Sequence, residues 1–429
     1  MKVLIVGGGG REHALLWALR RDNPNASFFC LPGNAGTATL ATNLPGSASD
    51  VAAVAAAAKT NKIDLVVVGP EGPLAAGLAD RLHKAGIPVF GPSQAAARLE
   101  SSKAFAKELM VRARVATPHA KAFTDLSEAL RYIGQQGEPL VVKASGLAAG
   151  KGAVVCRTKT DARKAATAMI REQSLGPSGA EILVEEFAPG EELSVLALTD
   201  GEHFAILPPA QDHKRIGTGD TGPNTGGMGA YCPVGIATDA LIKRVAEDIF
   251  KPVLSAMVEL GSPYRGILYA GLMIPEDGGA PQVIEFNCRF GDPEAQAILV
   301  ATPKGLLPVM RMVAEGGWVP TSLKFGTTKR SAVATVLAAP GYPGEATTGG
   351  EIRIPDGLEN NDLVVFHAGT SRGADGKLRV AGGRVLSVTG AGPDIATAAE
   401  KSRVAAEAIK FEGKQFRTDI GWREIARQK

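Results

Sequence analysis

The sequence predicts a multidomain protein of mixed α/β and α+β class, built from three consecutive parts. Residues 1–101 alternate apolar strands with helical runs, which predicts a doubly wound parallel sheet. Residues 102–326 mix strands, hairpins and helices, and residues 327–429 predict a small α+β domain. A chain of 429 residues is too long for one hydrophobic core, so a division into several domains fits its length.

The N-terminal element is a strand, a glycine loop and a helix. Residues 2–6 predict a buried parallel strand, residues 7–10 are all glycine, and residues 11–20 predict a helix. This layout is typical of a phosphate site, because glycines allow close approach and the helix start presents N–H groups to an anion. Glu12 and His13 stand where the dinucleotide fingerprint G-x-G-x-x-G needs its last glycine, so a nicotinamide cofactor is disfavoured.

The same alternation continues to the end of the first part. It predicts strands at 27–31, 65–68 and 89–90, and helices at 51–59 and 74–85. Polar, glycine-bearing turns follow the strands, and the carboxyl ends of parallel strands are where such sheets bind ligands. Turn chemistry alone would also select Gly, Pro and Asn, so both interpretations stay open. If the turns form one pocket, its residues are Gly9, Arg11, Asn34, Thr37 and Glu71.

The central part opens with a basic helix at 102–114, followed by a strand, a glycine loop and a second strand. Lys143 ends the first buried strand and is a candidate phosphate ligand, because a buried lysine needs an anion. Lys103 and Lys151 are weaker candidates. The loop at 146–152 lacks the Walker spacing, so it predicts a lid rather than a P-loop.

Two polar stretches follow. A strand from 182 runs into an acidic turn at 190–192, which suits a purine edge and ribose hydroxyls but is also typical of a protein surface. The glycine-rich residues 217–229 indicate disorder or function, and we favour function because apolar segments flank them. For His213, just before this loop, we expect a surface position rather than catalysis.

A charged motif near the end of the central part carries the strongest signal. Period-2 alternation over a strand at 283–287 places Glu285 and Asn287 on one face. A carboxylate and a carboxamide at this spacing suit Mg²⁺, which takes oxygen ligands and retains phosphates and waters. Arg289 follows and suits an anionic substrate. A strand end with solvated polar residues is the alternative interpretation of Glu285 and Asn287.

The composition is that of an ordered globular protein. Hydrophobic residues make up 45% and charged residues 21% of the chain, which disfavours disorder. The formal net charge of +3 gives no indication of a nucleic-acid or membrane surface. The four cysteines form no C-x-x-C pair and no apolar run approaches a membrane span, so we expect a cytoplasmic protein.

Several long motifs occur in an order found in a known family. They are Gly-Gly-Arg-Glu-His at 9–13, Pro-Gly-Asn-Ala-Gly-Thr at 32–37, Gly-Pro-Glu at 69–71, Gly-Leu-Ala-Ala-Gly-Lys-Gly at 146–152, Gln-Asp-His-Lys-Arg at 211–215, Asp-Thr-Gly-Pro-Asn-Thr-Gly-Gly-Met-Gly-Ala-Tyr at 220–231 and Glu-Phe-Asn-Cys-Arg-Phe-Gly-Asp-Pro-Glu at 285–294. Phe-His-Ala-Gly-Thr at 366–370 and Asp-Ile-Gly-Trp at 419–422 extend the match. On these motifs the sequence closely resembles the phosphoribosylamine–glycine ligase (glycinamide ribonucleotide synthetase) family of the ATP-grasp superfamily.

The resemblance implies a fold and a reaction. The central part should have the ATP-grasp fold of two α+β subdomains, with a lid subdomain at about 122–192, and the N-terminal domain should bind substrate. Glycine and ATP should give glycyl phosphate and ADP, and the amine of 5-phosphoribosylamine should then displace phosphate to form glycinamide ribonucleotide in de novo purine biosynthesis. The implied cofactors are ATP and Mg²⁺ or Mn²⁺. The implied partners are small-molecule substrates, with no nucleic acid and no membrane. We expect a monomer that makes transient contact with the enzyme supplying phosphoribosylamine.

The resemblance also implies residue roles. Lys103 and Lys143 should contact the ATP phosphates, Glu192 the ribose, and the backbone of Glu186 and Ala188 the adenine. Further roles are implied for sets of residues: Gly150, Lys151, Gly152, Glu185 and Phe187 at the nucleotide; Asp212, Arg289 and Gly291 at glycine; Gly9, Arg11, Asn34, Thr37 and Glu71 at phosphoribosylamine; Arg289, Asp212 and Lys143 in catalysis; and Glu285 and Asn287 at the metal.

Two positions depart from the family pattern. Ser145 stands where the family usually has Asp, which affects a side-chain role there but not the backbone of the lid. Leu272 stands where many ATP-grasp enzymes carry a further metal-binding acid. Two other functions are less well supported: an ATP-grasp carboxylase acting on bicarbonate, and a nucleotide-binding sensor without catalysis.

Overall fold

The N-terminal part folds around a parallel five-stranded sheet, because its strands are apolar throughout and helices connect them. The computed structural model describes residues 1–148, 150–320, 322, 323, 325 and 330–428. The elements of this part are β1 Lys2–Gly7, α1 Gly10–Asp22, β2 Ser27–Pro32, β3 Thr42–Asn43, α2 Val51–Thr60, β4 Leu65–Val68, α3 Glu71–Ala75, α4 Leu78–Lys84, β5 Val89–Phe90 and α5 Arg98–Ser101.

This sheet has the strand order β3-β2-β1-β4-β5, so β1 lies at its centre. Val3 pairs with Phe28 on one side and with Leu65 on the other. The helix predicted at 74–85 is divided into α3 and α4, because Gly77 adopts a left-handed conformation with φ of +83°. The loops after β1, β2 and β4 meet at the carboxyl edge of the sheet.

The central part contains two mainly antiparallel sheets and a hairpin. Its elements are α6 Lys103–Arg112, β6 Ala120–Phe123, α7 Leu126–Gln135, β7 Leu140–Ala144, β8 Ala153–Cys156, α8 Lys159–Ile170, β9 Ile182–Glu186, β10 Glu191–Thr199, β11 Phe204–Ile206, β12 Gln211–Asp212, β13 Arg215–Gly217, β14 Thr221–Asn224, β15 Gly229–Cys232, α9 Asp239–Val245, α10 Lys251–Glu259, β16 Gly266–Ile274, β17 Gln282–Asn287, α11 Glu294–Ala301 and α12 Leu306–Ala314. The predicted acidic turn at 190–192 is in fact the start of β10.

A small unit at one end of the central part has a core of its own. Its sheet has the order β6-β9-β7-β8 and is covered by α7 and α8. Side chains such as Phe123, Ile133 and Val184 form a hydrophobic cluster separate from the larger ones. Asp125 and Thr158 cap the starts of the two helices by accepting backbone N–H groups.

The second central sheet has the order β11-β10-β16-β17 and is joined to the N-terminal sheet by a continuous core. Strands β10 and β16 pair from Glu191 with Ile274 to Thr199 with Gly266. Leu4 of β1 and Leu193 of β10 belong to the same cluster of buried side chains. The edge strand β17 carries Glu285 and Asn287.

The C-terminal strands form a sheet with two strands of the central part. The elements after α12 are β18 Ser331–Ala338, β19 Leu363–His367, β20 Thr370–Arg372, β21 Leu378–Val380, β22 Arg384–Gly392, α13 Ile395–Ala408 and α14 Trp422–Arg427. The sheet order is β12-β15-β18-β22-β19, with Gly229 opposite Thr335. The predicted boundary at residues 326 and 327 lies outside the described residues.

The arrangement agrees with the predicted fold class: a parallel N-terminal sheet, two central α+β units and a C-terminal α+β region. In the described part of the chain, no single helix is long and apolar enough to cross a membrane. Helices α11 and α12 reach that length and apolar content only as a pair bent by 114°.

Candidate active site

A cavity of about 420 Å³ lies where the N-terminal, central and C-terminal sheets meet. Most of the predicted site residues line it: Arg11, Glu71, Lys103, Lys143, Gly150, Gly152, Glu185, Glu186, Phe187, Ala188, Glu192, Asp212, Glu285, Asn287, Arg289 and Gly291. Gly9, Asn34, Thr37 and Lys151 are not among its lining residues. Residues far apart in sequence are therefore brought to one cavity.

Two lysines form a cationic patch beneath the glycine loop. Lys143 is the last residue but one of β7, and its Nζ donates to the carbonyl of Ile284 at 2.9 Å and forms an ion pair with buried Glu185. Lys103 begins α6 and donates to the carbonyl of Gly146 at 3.3 Å. Burial lowers the pKa of Lys103, although Glu285 opposes this effect. Buried ammonium groups of this kind are suited to phosphate oxygens.

Glu285 and Asn287 both line the cavity from β17, together with Ile284 and Phe286 of the same strand. Burial alone would raise the pKa of Glu285, but four surrounding cations have the larger combined effect, so the pKa lies below its ordinary value. Within the described part of the chain, neither side chain makes a hydrogen bond, so their oxygen atoms remain available. A carboxylate and a carboxamide beside phosphate-binding lysines fit a divalent cation that takes its other ligands from phosphate and water. The four cations near Glu285 are Lys103, Lys143, Lys214 and Arg289.

Leu272 is not placed to supply a metal ligand. It is fully buried in the hydrophobic core and pairs with Val283 on β17. The neighbouring side chain that does reach the cavity from β16 is Met273. Among the described residues no cluster of three or more His, Cys, Asp or Glu suits a metal.

Asp212 lies on an acidic wall of the cavity with half-buried Glu192 and Glu285 and buried Glu294. Burial raises the pKa of Asp212 to about 8; Lys214 opposes this, and Glu294 adds to it. Lys214 forms an ion pair with Glu192, the residue predicted to hold ribose. Tyr269 donates its hydroxyl to Glu294 at 2.6 Å. This wall is acidic and is suited to an ammonium group.

Arg289 links the N-terminal and central parts across the cavity. Its Nε donates to Glu71 at 3.1 Å and its Nη2 to Glu100 at 2.6 Å. Burial would raise the pKa of Glu71, but Arg289 and Arg11 lower it to about 2. Arg289 thus already holds two carboxylates in this state, and its Nη1 donates to the carbonyl of Phe290 at 3.2 Å, which leaves one N–H on each terminal nitrogen of a side chain that lines the cavity.

The buried side chain of Glu12 holds the loop after β1 in place. Its carboxylate accepts the N–H of Gly9 at 2.6 Å and Nε of Arg11 at 2.7 Å. A Cβ at Gly69 would lie 2.1 Å from the Glu12 carboxylate, so the neighbouring loop needs glycine there. This carboxylate fixes Arg11, whose Nη1 also donates to the carbonyl of Phe290 at 3.2 Å.

Asn34 and Thr37 shape the second loop instead of facing the cavity. Nδ2 of Asn34 donates to the carbonyls of Gly8 at 3.0 Å and His367 at 2.8 Å, and its Oδ1 accepts the N–H groups of Gly36 and Thr37. Thr37 is fully buried. The turn interpretation, left open by the sequence, describes these two side chains.

Several cavity residues were not predicted from the sequence: Glu100, Lys214, Tyr269, Asp292, Glu294 and Arg384. Lys214 follows Asp212 by two residues, and Asp292 and Glu294 stand in the motif after Arg289, so spacing offered a signal for these three. The chain around Glu100 and Arg384 carries no comparable signal. The surface position expected for His213 is wrong: its side chain is buried, and burial lowers its pKa to about 4.

Comparisons with known proteins agree along the whole chain. Models of phosphoribosylglycinamide synthetase match residues 1–100 as the N domain, 101–295 as the ATP-grasp (A) domain and 332–423 as the C domain. A phosphoribosylamine–glycine ligase of Brucella melitensis is 45% identical over 430 residues, covering 100% of this chain and 99% of the relative.

Solved structures give the same result for the fold. The phosphoribosylamine–glycine ligase of Thermotoga maritima superposes with a TM-score of 0.85 at 34% identity, covering 98% of this chain and 100% of the other. Biotin carboxylase from Campylobacter jejuni has a TM-score of 0.75 at 16% identity, covering 97% and 92%. The second likeness concerns the fold alone.

Proposed function

The chain belongs to the phosphoribosylglycinamide synthetase family, whose members are phosphoribosylamine–glycine ligases. We therefore propose where ATP, glycine and 5-phosphoribosylamine bind in its cavity and how glycine is joined to 5-phosphoribosylamine there. The observation that carries the proposal is one wall that combines two lysines, an acid–amide pair and Arg289. These are the groups required to bring a carboxylate to a triphosphate. The products are glycinamide ribonucleotide, ADP and phosphate.

The nucleotide lies between the small central unit and the β10–β16 sheet. Its base enters the apolar slot formed by side chains such as Val141, Val155 and Phe286, and the backbone of residues 186–188 meets its edge. Glu192 accepts the ribose hydroxyls while sharing Lys214. Lys103 and Lys143 neutralise the phosphates, so charge that moves onto the leaving ADP is already compensated.

Glycine lies between the acidic wall and Arg289. Its ammonium group faces Asp212, and its carboxylate meets the free donors of Arg289 beside Gly291. A carboxylate oxygen of glycine attacks the γ-phosphorus, the bond from that phosphorus to the β–γ bridging oxygen breaks, and ADP leaves. Glu285 and Asn287 would hold a divalent cation, Mg²⁺ in our proposal, which would supply neutralisation of phosphate charge.

Phosphoribosylamine lies at the N-terminal end of the cavity. The loop at Gly9 and Arg11 receives its phosphate, Glu71 lies near its ribose hydroxyls, and Asn34 and Thr37 hold the loop in shape. Its amine attacks the acyl carbon of glycyl phosphate, the carbon–oxygen bond to phosphate breaks, and the nitrogen loses a proton. The amide bond and inorganic phosphate are formed in this step.

The activity is tested by measuring ADP release with glycine and freshly prepared phosphoribosylamine, omitting each in turn. We expect ADP release to require glycine, and amide formation to require both. The matched control replaces glycine with bicarbonate. ADP release that depends on bicarbonate and not on glycine would contradict the ligase assignment and support a carboxylase.

The glycine loop at 146–152 closes over the triphosphate in our proposal, with Ala149 outside the described residues. Gly150 and Lys151 are exposed, and a Cβ at Gly150 would lie 3.7 Å from the Cα of Gly226 across the cavity mouth. Trypsin is therefore expected to cut after Lys151, and ATP should slow this cut by about tenfold or more by excluding the loop from the protease. The fragment mass identifies the site, and Lys151→Gln is the control that removes it. A rate of cleavage that ATP leaves unchanged counts against a lid.

We further propose domains at 1–101, 102–326 and 327–429, with the lid subdomain at about 122–192. We also propose a monomer in the cytoplasm that transiently contacts the enzyme supplying phosphoribosylamine. The small separate core of the lid unit supports its treatment as a subdomain.

A further inference from the structure

Arg384 brings a cation from the C-terminal sheet into the cavity. It is the first residue of β22 and lines the cavity with a half-buried side chain. Its Nη1 donates to the carbonyl of Gly226 at 2.7 Å and to the carbonyl of Asp292 at 2.6 Å. Two carbonyls from separate loops thus fix the plane of its guanidinium.

The same guanidinium holds the carboxylate of Asp292. Nη2 of Arg384 lies 3.2 Å from Oδ2 of Asp292, and Gln296 donates to Oδ1 at 2.8 Å. Burial alone would raise the pKa of Asp292, but Arg384 and Arg11 oppose burial, and the pKa lies below its ordinary value. Asp292 is therefore a charged carboxylate, and among the described residues Arg384 is its direct ion-pair partner.

Asp292 also borders the loop assigned to the ribose phosphate. A Cβ at Gly9, which precedes the first residue of α1, would lie 3.5 Å from Oδ2 of Asp292. The Glu12 carboxylate already accepts the N–H of Gly9 at 2.6 Å, so an unpaired second carboxylate at this place would add further negative charge and repel a phosphate. Arg384 reduces that repulsion, because it pairs with Asp292 and is itself held by the two loop carbonyls.

We propose that Arg384 is a positioning residue for phosphoribosylamine: by pairing with Asp292, it makes the N-terminal end of the cavity fit to receive a phosphate monoester. The C-terminal sheet then takes part in substrate recognition. This inference rests on the proposed function, since it assumes that the ribose phosphate lies at Gly9 and Arg11.

The test uses ribose 5-phosphate, which has the phosphate and sugar of the substrate without its amine. Calorimetric titration should show that Arg384→Ala raises the Kd for ribose 5-phosphate by about tenfold or more, because Asp292 is left unpaired. The KM for phosphoribosylamine should rise in parallel, while the KM values for ATP and glycine stay within about twofold. Arg353→Ala, which removes an exposed arginine of the same region, is the matched control and should leave all four values unchanged.

A double variant distinguishes charge neutralisation from any other role of Arg384. Arg384→Ala combined with Asp292→Asn removes the unpaired charge and should restore most of the affinity for ribose 5-phosphate. Affinity that is unchanged in Arg384→Ala, or as weak in the double variant as in the single one, would overturn the inference. If Arg384→Ala does not fold, Arg384→Gln, which retains donors for the carbonyls, must show the same loss and the same rescue.

The outcome also separates this inference from the proposed function. If the wild-type protein binds no ribose 5-phosphate but still forms the amide, the phosphate has been misplaced and the inference falls with it. If the wild-type protein binds ribose 5-phosphate and shows the loss and rescue, but releases no glycine-dependent ADP, the proposed reaction fails and the role of Arg384 stands.

Discussion

Replacement of Glu285 by Gln is expected to lower kcat by about a thousandfold while the chain stays folded. The Glu285 side chain is half-buried, lines the cavity and makes no hydrogen bond to another described residue, so its oxygens are available to a divalent cation beside the phosphates. An amide keeps the shape of the side chain but loses its charge. Steady-state kinetics at saturating Mg²⁺ measures the effect, and the melting temperature checks the fold.

The same variant should not weaken binding of metal-free ATP. Four cations lower the pKa of Glu285, and without its charge they remain available to the triphosphate. Glu285→Asp, which keeps an oxygen ligand on a shorter side chain, is the matched control and should retain more of the turnover than Glu285→Gln. Unchanged turnover of Glu285→Gln would refute the metal assignment, and so would a loss of kcat matched by an equal loss of metal-free ATP affinity.

Local periodicity explains why this part of the site was predictable. Glu285 and Asn287 share a face because side chains alternate along any strand, and Lys143 ends a buried strand that is apparent in the sequence. Neither inference needs a partner from elsewhere in the chain. The strand–loop–helix at the N-terminus was predictable for the same reason.

The rest of the site depends on contacts that the sequence does not reveal. Glu100 meets Arg289 across 189 positions, and Arg384 meets Asp292 across 92. The structure of the glycine-rich stretch at 217–229 depends on distant partners: β15, which begins at its end, is a strand because it pairs with β18. Asn34 and Thr37 stand at the predicted edge, yet their polar atoms are used within their own loop and, for Nδ2 of Asn34, by the carbonyls of Gly8 and His367. The position of this loop at the edge of the sheet was thus predictable from the sequence. The direction in which its side chains point was not.

Arg289→Ala is expected to lower kcat/KM for glycine by about a hundredfold or more, because a carboxylate loses its planar two-donor partner. Arg289→Lys should recover little of this activity, since an ammonium group cannot reproduce the fork. Loss of Arg289 also leaves Glu71 and Glu100 without the contacts at 3.1 and 2.6 Å. Steady-state kinetics with each substrate varied in turn measures whether the loss of kcat/KM is confined to glycine.

Two comparisons separate binding of glycine from general damage to the site. Arg289→Ala combined with Glu100→Gln removes one buried unpaired charge, so the melting temperature should recover while glycine use does not. Arg11→Ala should raise the KM for phosphoribosylamine and leave the KM for glycine nearly unchanged, because Arg11 lies on the helix start at the other end of the cavity. If Arg11→Ala impaired glycine use and spared phosphoribosylamine, the assignment of the N-terminal loops would be wrong even though the overall reaction were right.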